Sequence, residues 1–347
     1  MYDKPIYWIN ELGQEANDYV GKKCANLGEM ARIGIPVPKG FALSITAHDI
    51  FLKESGIHDE IARILGPSLE EARLSGGSDM TKFEEISQKI HEMIMSQDIP
   101  PHLEAQIKAY YQKLCEEYKE TNAPVAVRSS GAVSMPGQME TYLNVRGEEA
   151  VIYNIKRVWA SAYSARAIHY RLTHEGMRVR DAKIGVAILR MVEARSAGVG
   201  FTASPSTGDT TKVIIEGNWG LGESIVQGLV VPDVYYISKN PLRVDNVSIG
   251  EKLKYYELLA EGTELRDVPL EKRAVPCLQE EEALELAKLA IQLEKHFQTP
   301  QDIEWAIDKN SSFPENIYLV QARPAKHIPE KKSSIDTILD ILTQRIR

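Results

Sequence analysis

Arg128 is the residue of this sequence whose setting most clearly indicates a chemical role. It follows the apolar run PVAV at residues 124–127, which predicts a short buried strand that holds the arginine in a fixed direction. Small polar residues and glycines come next: Ser129, Ser130, Gly131, Ser134 and the Pro136-Gly137 turn. Their hydroxyl and backbone N–H groups can surround an anion, so the stretch predicts phosphate binding. The alternative is an ordinary strand and surface loop, with the arginine paired to a carboxylate.

Two lysines, Lys22 and Lys23, stand in the first turn of a predicted helix that Gly34 and Pro36 end. The first turn of a helix disfavours positive side chains unless an anion is bound there. The pair is therefore a second candidate for phosphate contact. The alternative is two solvated lysines on a surface helix.

Two predicted strands near the end of the sequence carry further candidates. They read DIEWAID at residues 302–308 and IYLVQARP at residues 317–324, and the turn between them suits a hairpin. Strand alternation places Asp302 and Glu304 on one face of the first strand, and Gln321 and Arg323 on one face of the second. Paired carboxylates suit a hard metal ion, and arginine suits phosphate.

Taken together, these residue types match the needs of a nucleoside triphosphate bound with Mg²⁺. Cations neutralise the phosphate oxygens, and two oxygen ligands hold a metal ion that keeps most of its waters. Three common nucleotide motifs are absent: GxxxxGK[ST], the kinase catalytic loop and GxGxxG after a first strand. The sequence therefore predicts a nucleotide site of another kind.

The elements that must position these residues are mainly helices in the first half of the chain and strands in the second. Helical spacing predicts helices between residues 48 and 120, one helix from 152 to about 171, and another at 280–297. A near-continuous apolar strand at 183–193, followed by small residues, predicts a lobe boundary. Residues 240–279 show no clear period. The residues after 328 predict an amphipathic helix, which packs on its own domain or on a partner.

Composition excludes several classes of protein. The chain has 347 residues, 43% of them hydrophobic, which is enough for two lobes. A net charge of −8 argues against a nucleic-acid or anionic-membrane partner. Three widely separated cysteines indicate neither a disulfide framework nor a zinc site, and no apolar stretch suits a signal peptide or a membrane span. We expect a cytoplasmic protein.

Six collinear blocks of this sequence resemble the nucleotide-binding domain of the pyruvate phosphate dikinase and phosphoenolpyruvate synthase family. They begin at residues 20, 124, 191, 216, 301 and 317 and read VGKKCANLGEMARIGIPVPKGFAL, PVAVRSSGAVSMPGQMETYLNV, MVEARSAGVGFTASP, EGNWGLGESIVQGLVVPD, QDIEWAID and IYLVQARP. The resemblance implies an α+β protein with the ATP-grasp fold, in which two lobes enclose a nucleotide cleft. It implies a first lobe at 1–190, a second lobe at 191–325 and a tail at 326–347.

The resemblance also implies roles for individual residues. The catalytic residues, which contact or steady the phosphates, are Lys23, Arg128 and Arg323. Ligands for Mg²⁺ are Asp302, Glu304 and Gln321, of which Glu304 and Gln321 also contact ATP. The hinge that receives adenine comprises Leu189, Arg190, Met191, Val192 and Glu193, although the family often has glutamine where this chain has Leu189. Gly220 and Gly222 approach the nucleotide or serve a tight turn.

In this family, ATP phosphorylates a histidine on a separate domain, in a Thr-Gly-Gly…His setting that none of the eight histidines here has. The resemblance therefore implies a stand-alone ATP-binding subunit that cleaves ATP to AMP and phosphate and phosphorylates a larger partner subunit. We expect phenol as the acceptor, as in phenylphosphate synthase. Alternatives are a split phosphoenolpyruvate synthase or pyruvate phosphate dikinase, a rifampin-type phosphotransferase, and a non-catalytic sensor of adenine nucleotides.

Overall fold

A computed structural model describes residues 2–74, 80–131, 140–173 and 182–325 of the chain. The chain divides into two compact units. The first unit comprises Met1–Glu193 and two short later segments, Glu257–Glu264 and Tyr318–Gln321. The second unit comprises Ala194–Tyr256, Leu265–Ile317 and the segment from Ala322 onward. The sequence analysis did not predict the two later segments. It placed the end of the first lobe at residue 190, whereas the long segment of the first unit ends at Glu193.

The first unit contains helices and one sheet of five strands. Its elements are β1 (Ile6–Trp8), α1 (Asn17–Val20), α2 (Lys22–Arg32), β2 (Gly40–Leu43), α3 (Ile45–Glu54), α4 (His58–Leu74), α5 (Met80–Ser96), α6 (Pro101–Tyr118), β3 (Val125–Gly131), β4 (Thr141–Val145), α7 (Glu148–Ser161), α8 (Ala165–Thr173) and β5 (Ile184–Arg190). The strand order is β1-β2-β5-β3-β4, with antiparallel pairing between neighbours.

A hydrophobic core joins one face of this sheet to the helices. Val125 and Val127 of β3 and Val186 of β5 are buried in it, as strand alternation predicts for residues two apart. On the helical side, the rings of Phe51 and Trp159 stack with their centroids 4.8 Å apart. The core therefore holds β3 and β5 rigidly, and with them the residues that follow each strand.

Two predicted elements differ from the structure. The predicted helix from 152 to about 171 is two helices, because the Ser164 hydroxyl accepts a hydrogen bond from the Ala167 N–H (3.2 Å) and begins a new helix. The predicted strand 183–193 ends at Arg190. The two strands that flank β5 offer no pairing beyond this point. Gly40, the first residue of β2, pairs with Leu189, and Val125, the first residue of β3, pairs with Arg190.

The second unit is built on a sheet of six strands. The elements of this half of the chain are β6 (Ala194–Phe201), β7 (Lys212–Trp219), α9 (Glu223–Val226), β8 (Asp233–Lys239), β9 (Leu242–Ser248), β10 (Lys254–Leu258), β11 (Thr263–Asp267), α10 (Leu270–Arg273), α11 (Glu280–Phe297), β12 (Gln301–Asp308) and β13 (Ile317–Pro324). Residues 257–258 of β10, residues 263–264 of β11 and Tyr318–Gln321 of β13 are counted with the first unit. The sheet order is β13-β12-β6-β7-β8-β9, while β10 and β11 pair separately. The stretch 240–279, which lacked a clear period, contains β9, β10, β11 and α10.

The two faces of the six-stranded sheet differ in burial. Ile215 of β7, Ile237 of β8 and Trp305 of β12 are buried, and α11 packs against β7, β8 and β12. The alternate positions, including Glu216 and Glu304, are half-buried. The polar side chains of the sheet are therefore concentrated on the face that α11 does not cover.

A buried ion pair fixes the start of β8. Neither Asp233 nor Lys252 has an exposed side chain, and their charged atoms are 2.5 Å apart. The Asp233 carboxylate also accepts hydrogen bonds from the backbone N–H groups of Gly250 (2.9 Å) and Cys277 (2.8 Å). One carboxylate thus connects three separate parts of the second unit.

Replacing Asp233 by alanine is expected to lower the free energy of unfolding by about 3–5 kcal/mol, because the Lys252 ammonium would remain buried without its partner. Chemical denaturation would measure the loss. Glu117→Ala is the matched control, since it removes one partner of the exposed Lys39–Glu117 pair, and such pairs contribute about 1 kcal/mol or less. Equal effects of the two substitutions would contradict the role given to Asp233.

None of the helices in the described ranges combines the length and apolar character needed to cross a lipid bilayer.

Candidate functional site

The sheet of the first unit places Arg128 between two neighbouring strands. Arg128 lies in β3 opposite Thr141 of β4 and Ala187 of β5, and its side chain is half-buried. Its Nη2 donates a hydrogen bond to Gln321 Oε1 (3.1 Å), and its Nη1 donates to the Val320 carbonyl (3.5 Å). The structure therefore brings together two residues to which the resemblance gives a contact with ATP.

Helix α2 brings Lys23 to the same region of the first unit. The backbone N–H of Cys24 donates to the Ser130 hydroxyl (3.1 Å), so the start of α2 lies against the end of β3. Burial raises the pKa of the Cys24 thiol to about 11, while contact with Ser130 and the positive charges of Lys23 and Arg128 act in the opposite direction. Lys23 therefore lies at the end of α2 that contacts β3, the strand that carries Arg128.

Gly21 permits this close approach between α2 and β3. It has a φ of 79°, and a Cβ atom there would lie 1.9 Å from the Ser130 carbonyl oxygen. Any larger residue must therefore push the first turn of α2 away from β3. The backbone therefore requires glycine at position 21, whether or not a ligand is bound.

We expect Gly21→Ala to weaken MgATP binding by about tenfold or more, because Lys23 moves with the displaced helix. Calorimetry would measure the affinity. Gly34→Ala is the matched control: its φ is 82°, yet a Cβ atom there meets nothing within 4 Å, so it introduces strain without displacement. Similar losses in both variants would show that the position of α2 is not what matters.

In the second unit, β12 presents the predicted carboxylate pair. Asp302 and Glu304 are half-buried on one face, and Ile303 and Trp305 are buried on the other. The guanidinium Nε of Arg323 donates to Asp302 Oδ2 (3.2 Å). Two of the residues assigned to metal and phosphate by resemblance therefore contact each other directly.

The number of carboxylates suits Mg²⁺, which takes some of its ligands from water and phosphate. It does not suit a metal ion whose ligands all come from the protein. Among the described residues, no group of three or more histidine, cysteine, aspartate or glutamate side chains could hold a metal ion. Mg²⁺ is usually bound through one or two carboxylates, with waters and phosphate oxygens completing its shell. Asp302 and Glu304 supply that number of oxygen ligands. Gln321, the third predicted ligand, belongs to the first unit and accepts the hydrogen bond from Arg128.

Strand β13 does not keep the predicted alternation to its end. Leu319 is buried and Gln321 is half-buried, but Ala322 is buried and Arg323 is exposed. The buried positions thus change from odd to even residue numbers within the strand. Sequence alternation alone does not establish a shared face for Gln321 and Arg323.

The predicted adenine hinge begins inside β5 and continues beyond it. Leu189 is a buried strand residue, whereas residues 191–193 lie in no strand or helix. The Met191 N–H donates to the Pro124 carbonyl (2.8 Å), and Val192 and Glu193 are half-buried. The side chain of Arg190 pairs with Glu120, which lies two residues beyond the end of α6.

The first glycine of WGLGE has a structural explanation. Gly220 has a φ of 67°, and a Cβ atom there would lie 2.2 Å from the Tyr256 carbonyl oxygen. Leu221 pairs with Tyr256 in an isolated bridge. The tight-turn alternative thus accounts for Gly220, while Gly222 has only ordinary contacts, the nearest to Ala197.

Some predicted features lie outside the described residues. These are Ser134, Pro136 and Gly137 of the glycine loop, and the tail from residue 326.

Sequence reasoning did not single out Glu216. In the sheet, Val199 of β6 pairs with both Glu304 and Glu216, so the two glutamates lie in one cross-strand row on the same face. Burial raises the pKa of Glu216. The available signal was a single acidic residue directly after the apolar run VII at residues 213–215.

Comparison with known proteins identifies the family of this chain. Residues 17–340 match the family described as pyruvate phosphate dikinase, AMP/ATP-binding domain. The phosphoenolpyruvate synthase of Aeropyrum pernix is 40% identical over an alignment 371 residues long. The alignment covers 97% of this chain and 44% of that protein. The phosphoenolpyruvate synthase of Escherichia coli is 37% identical over 341 residues, covering 92% of this chain and 41% of that protein.

A probable phosphoenolpyruvate synthase of Staphylothermus marinus is 38% identical and again covers 92% of this chain and 41% of its own length. The chain thus spans less than half the length of these relatives. Because the family match extends over most of the sequence, the chain belongs to the pyruvate phosphate dikinase family of AMP/ATP-binding domains.

Proposed function

We propose that this domain binds MgATP and that ATP reacts there with a histidine of a partner subunit and with water, so that one phosphoryl group ends on the histidine, the other is released as phosphate, and AMP remains. The observation that carries the proposal is the contact between Arg128 and Gln321 in a chain of this family. Helix α2, which carries Lys23, contacts the same strand as Arg128. A half-buried guanidinium fixed by a neighbouring amide can present its remaining N–H groups to phosphate oxygens.

Each candidate residue is given the role that its side-chain chemistry suits. Lys23 is a point charge at a helix start, suited to the triphosphate, and Arg128 offers a planar fork to the phosphoryl group that moves. Asp302 and Glu304 would hold Mg²⁺, which when bound neutralises phosphate oxygens. Arg323 bonds to Asp302 and adds positive charge beside the carboxylates.

The acceptor histidine is proposed to come from another subunit. None of the eight histidines has the expected glycine-rich setting. His48 is buried, and that burial lowers the pKa of its imidazole to about 3, so it is inaccessible to a nucleotide. A histidine presented by a larger partner fits the proposal better.

The final acceptor is proposed to be pyruvate. The relatives described above carry the name phosphoenolpyruvate synthase, and this favours a split enzyme of that type over the phenol acceptor expected at first. Both choices require the same ATP chemistry in this domain. They differ in the partner subunit, which would carry the acceptor site.

The test is to mix the chain with a candidate partner subunit and ATP labelled in its β- and γ-phosphates. We expect labelled phosphohistidine on the partner and stoichiometric AMP, followed by loss of label to pyruvate. Loss of label to phenol instead would assign the phenylphosphate synthase reaction. ATP binding with neither AMP nor phosphohistidine would favour a nucleotide sensor.

A further inference from the structure

Arg190 makes three contacts at the end of β5. Its Nη2 donates to Glu120 Oε1 in an ion pair, and its Nη1 donates to the backbone carbonyl of Met191. Its guanidinium carbon also lies 5.1 Å from the centre of the Tyr118 ring. Only 10% of the side chain is exposed, so the guanidinium is committed to protein groups.

The backbone at this point is held from both sides. The Arg190 N–H donates to the Lys39 carbonyl (2.8 Å), and the Met191 N–H donates to the Pro124 carbonyl (2.8 Å). With Arg190 bonded to the Met191 carbonyl, both backbone groups of Met191 have protein partners. Because an N–H makes only one such bond, a backbone N–H that binds the base must come from a residue other than Met191.

We propose that Arg190 is a positioning residue, which with Glu120 and Tyr118 fixes the backbone of residues 191–193 in the conformation that receives adenine. The inference rests on the proposed function, ATP binding, and on the family resemblance, which implies that these residues receive the base. Arg190 contacts no part of the nucleotide in this role. It acts through the Met191 carbonyl, and Glu120 in turn orients Arg190.

The chemistry of the contacts requires arginine. A planar guanidinium can donate to a carboxylate and a carbonyl at the same time while its face lies against an aromatic ring. Lysine keeps the charge, but its ammonium is a compact group on a flexible stem that cannot make all three contacts in one geometry. Arg190→Lys should therefore loosen residues 191–193 without removing the charge.

The experiment compares two probes on the full chain: MgATP, which has the base, and inorganic tripolyphosphate with Mg²⁺, which lacks it. For Arg190→Lys and Glu120→Ala we expect the Kd for MgATP to rise by about tenfold, because each loses a charge-assisted contact that orders the hinge. The Kd for tripolyphosphate should stay as in the wild type. Glu117→Ala is the matched control, because Glu117 pairs with Lys39 and makes no contact with Arg190.

The outcomes are distinguishable. Unchanged MgATP affinity in both variants would overturn the inference, as would equal weakening of both probes, which indicates a general structural effect. If Arg190→Lys fails to fold, Glu120→Ala decides, since Glu120 is one-third exposed and its loss leaves the strand intact. A wild-type chain that binds tripolyphosphate but not ATP would instead refute the proposed function.

Discussion

Arg128→Lys is expected to reduce phosphoryl transfer by about a hundredfold or more while changing ATP affinity much less. Lysine keeps the positive charge but loses the fork that contacts both Gln321 Oε1 and the Val320 carbonyl. A single ammonium group cannot be fixed by the protein and also reach two phosphate oxygens. The loss should appear mainly when charge develops on the moving phosphoryl group.

The measurement is the rate of phosphohistidine formation on the partner in a single turnover, with ATP binding followed separately by calorimetry. Arg157→Lys is the matched control. Arg157 lies over the Tyr142 ring at 3.9 Å in the same unit and has no predicted contact with phosphate. An Arg128→Lys variant with normal transfer, or one that loses ATP binding alone, would show that Arg128 has a ground-state or structural role.

Glu304→Gln is expected to lower the transfer rate by about a thousandfold or more, because a neutral amide is a poor ligand for Mg²⁺. The fold should persist. Glu304 is on the half-buried face of β12, and its neighbours Ile303 and Trp305 supply the buried contacts of the strand. We also expect the Mg²⁺ concentration needed for half-maximal rate to increase.

Transfer rates measured over a range of Mg²⁺ concentrations would test this effect, and thermal unfolding would confirm that the variant is folded. Asp308→Asn is the matched control on the same strand. Asp308 accepts a hydrogen bond from the Asn310 N–H (2.9 Å) and has no predicted role with metal. Wild-type turnover in Glu304→Gln would exclude Glu304 as a metal ligand.

The sequence by itself determined the elements whose pattern is local. Helix α11 has the predicted bounds of 280–297, and β12 shows the alternation predicted for Asp302 and Glu304. The candidate phosphate residues were also found from their types, because cations at a helix start or after a buried strand are unusual without a ligand. Each of these inferences needs only neighbouring residues.

The tertiary structure decided which candidates meet. Arg128 and Gln321 are 193 positions apart, and Arg323 contacts Asp302 only because β13 and β12 are neighbours in the sheet. The end of β5 was likewise set by where its partner strands stop, and the ion pair of Arg190 with Glu120 joins residues 70 positions apart. Periodicity reports which face of an element is buried, but it carries no information about strand order or register. Contacts between distant residues depend on both, so they could not be obtained from the sequence pattern.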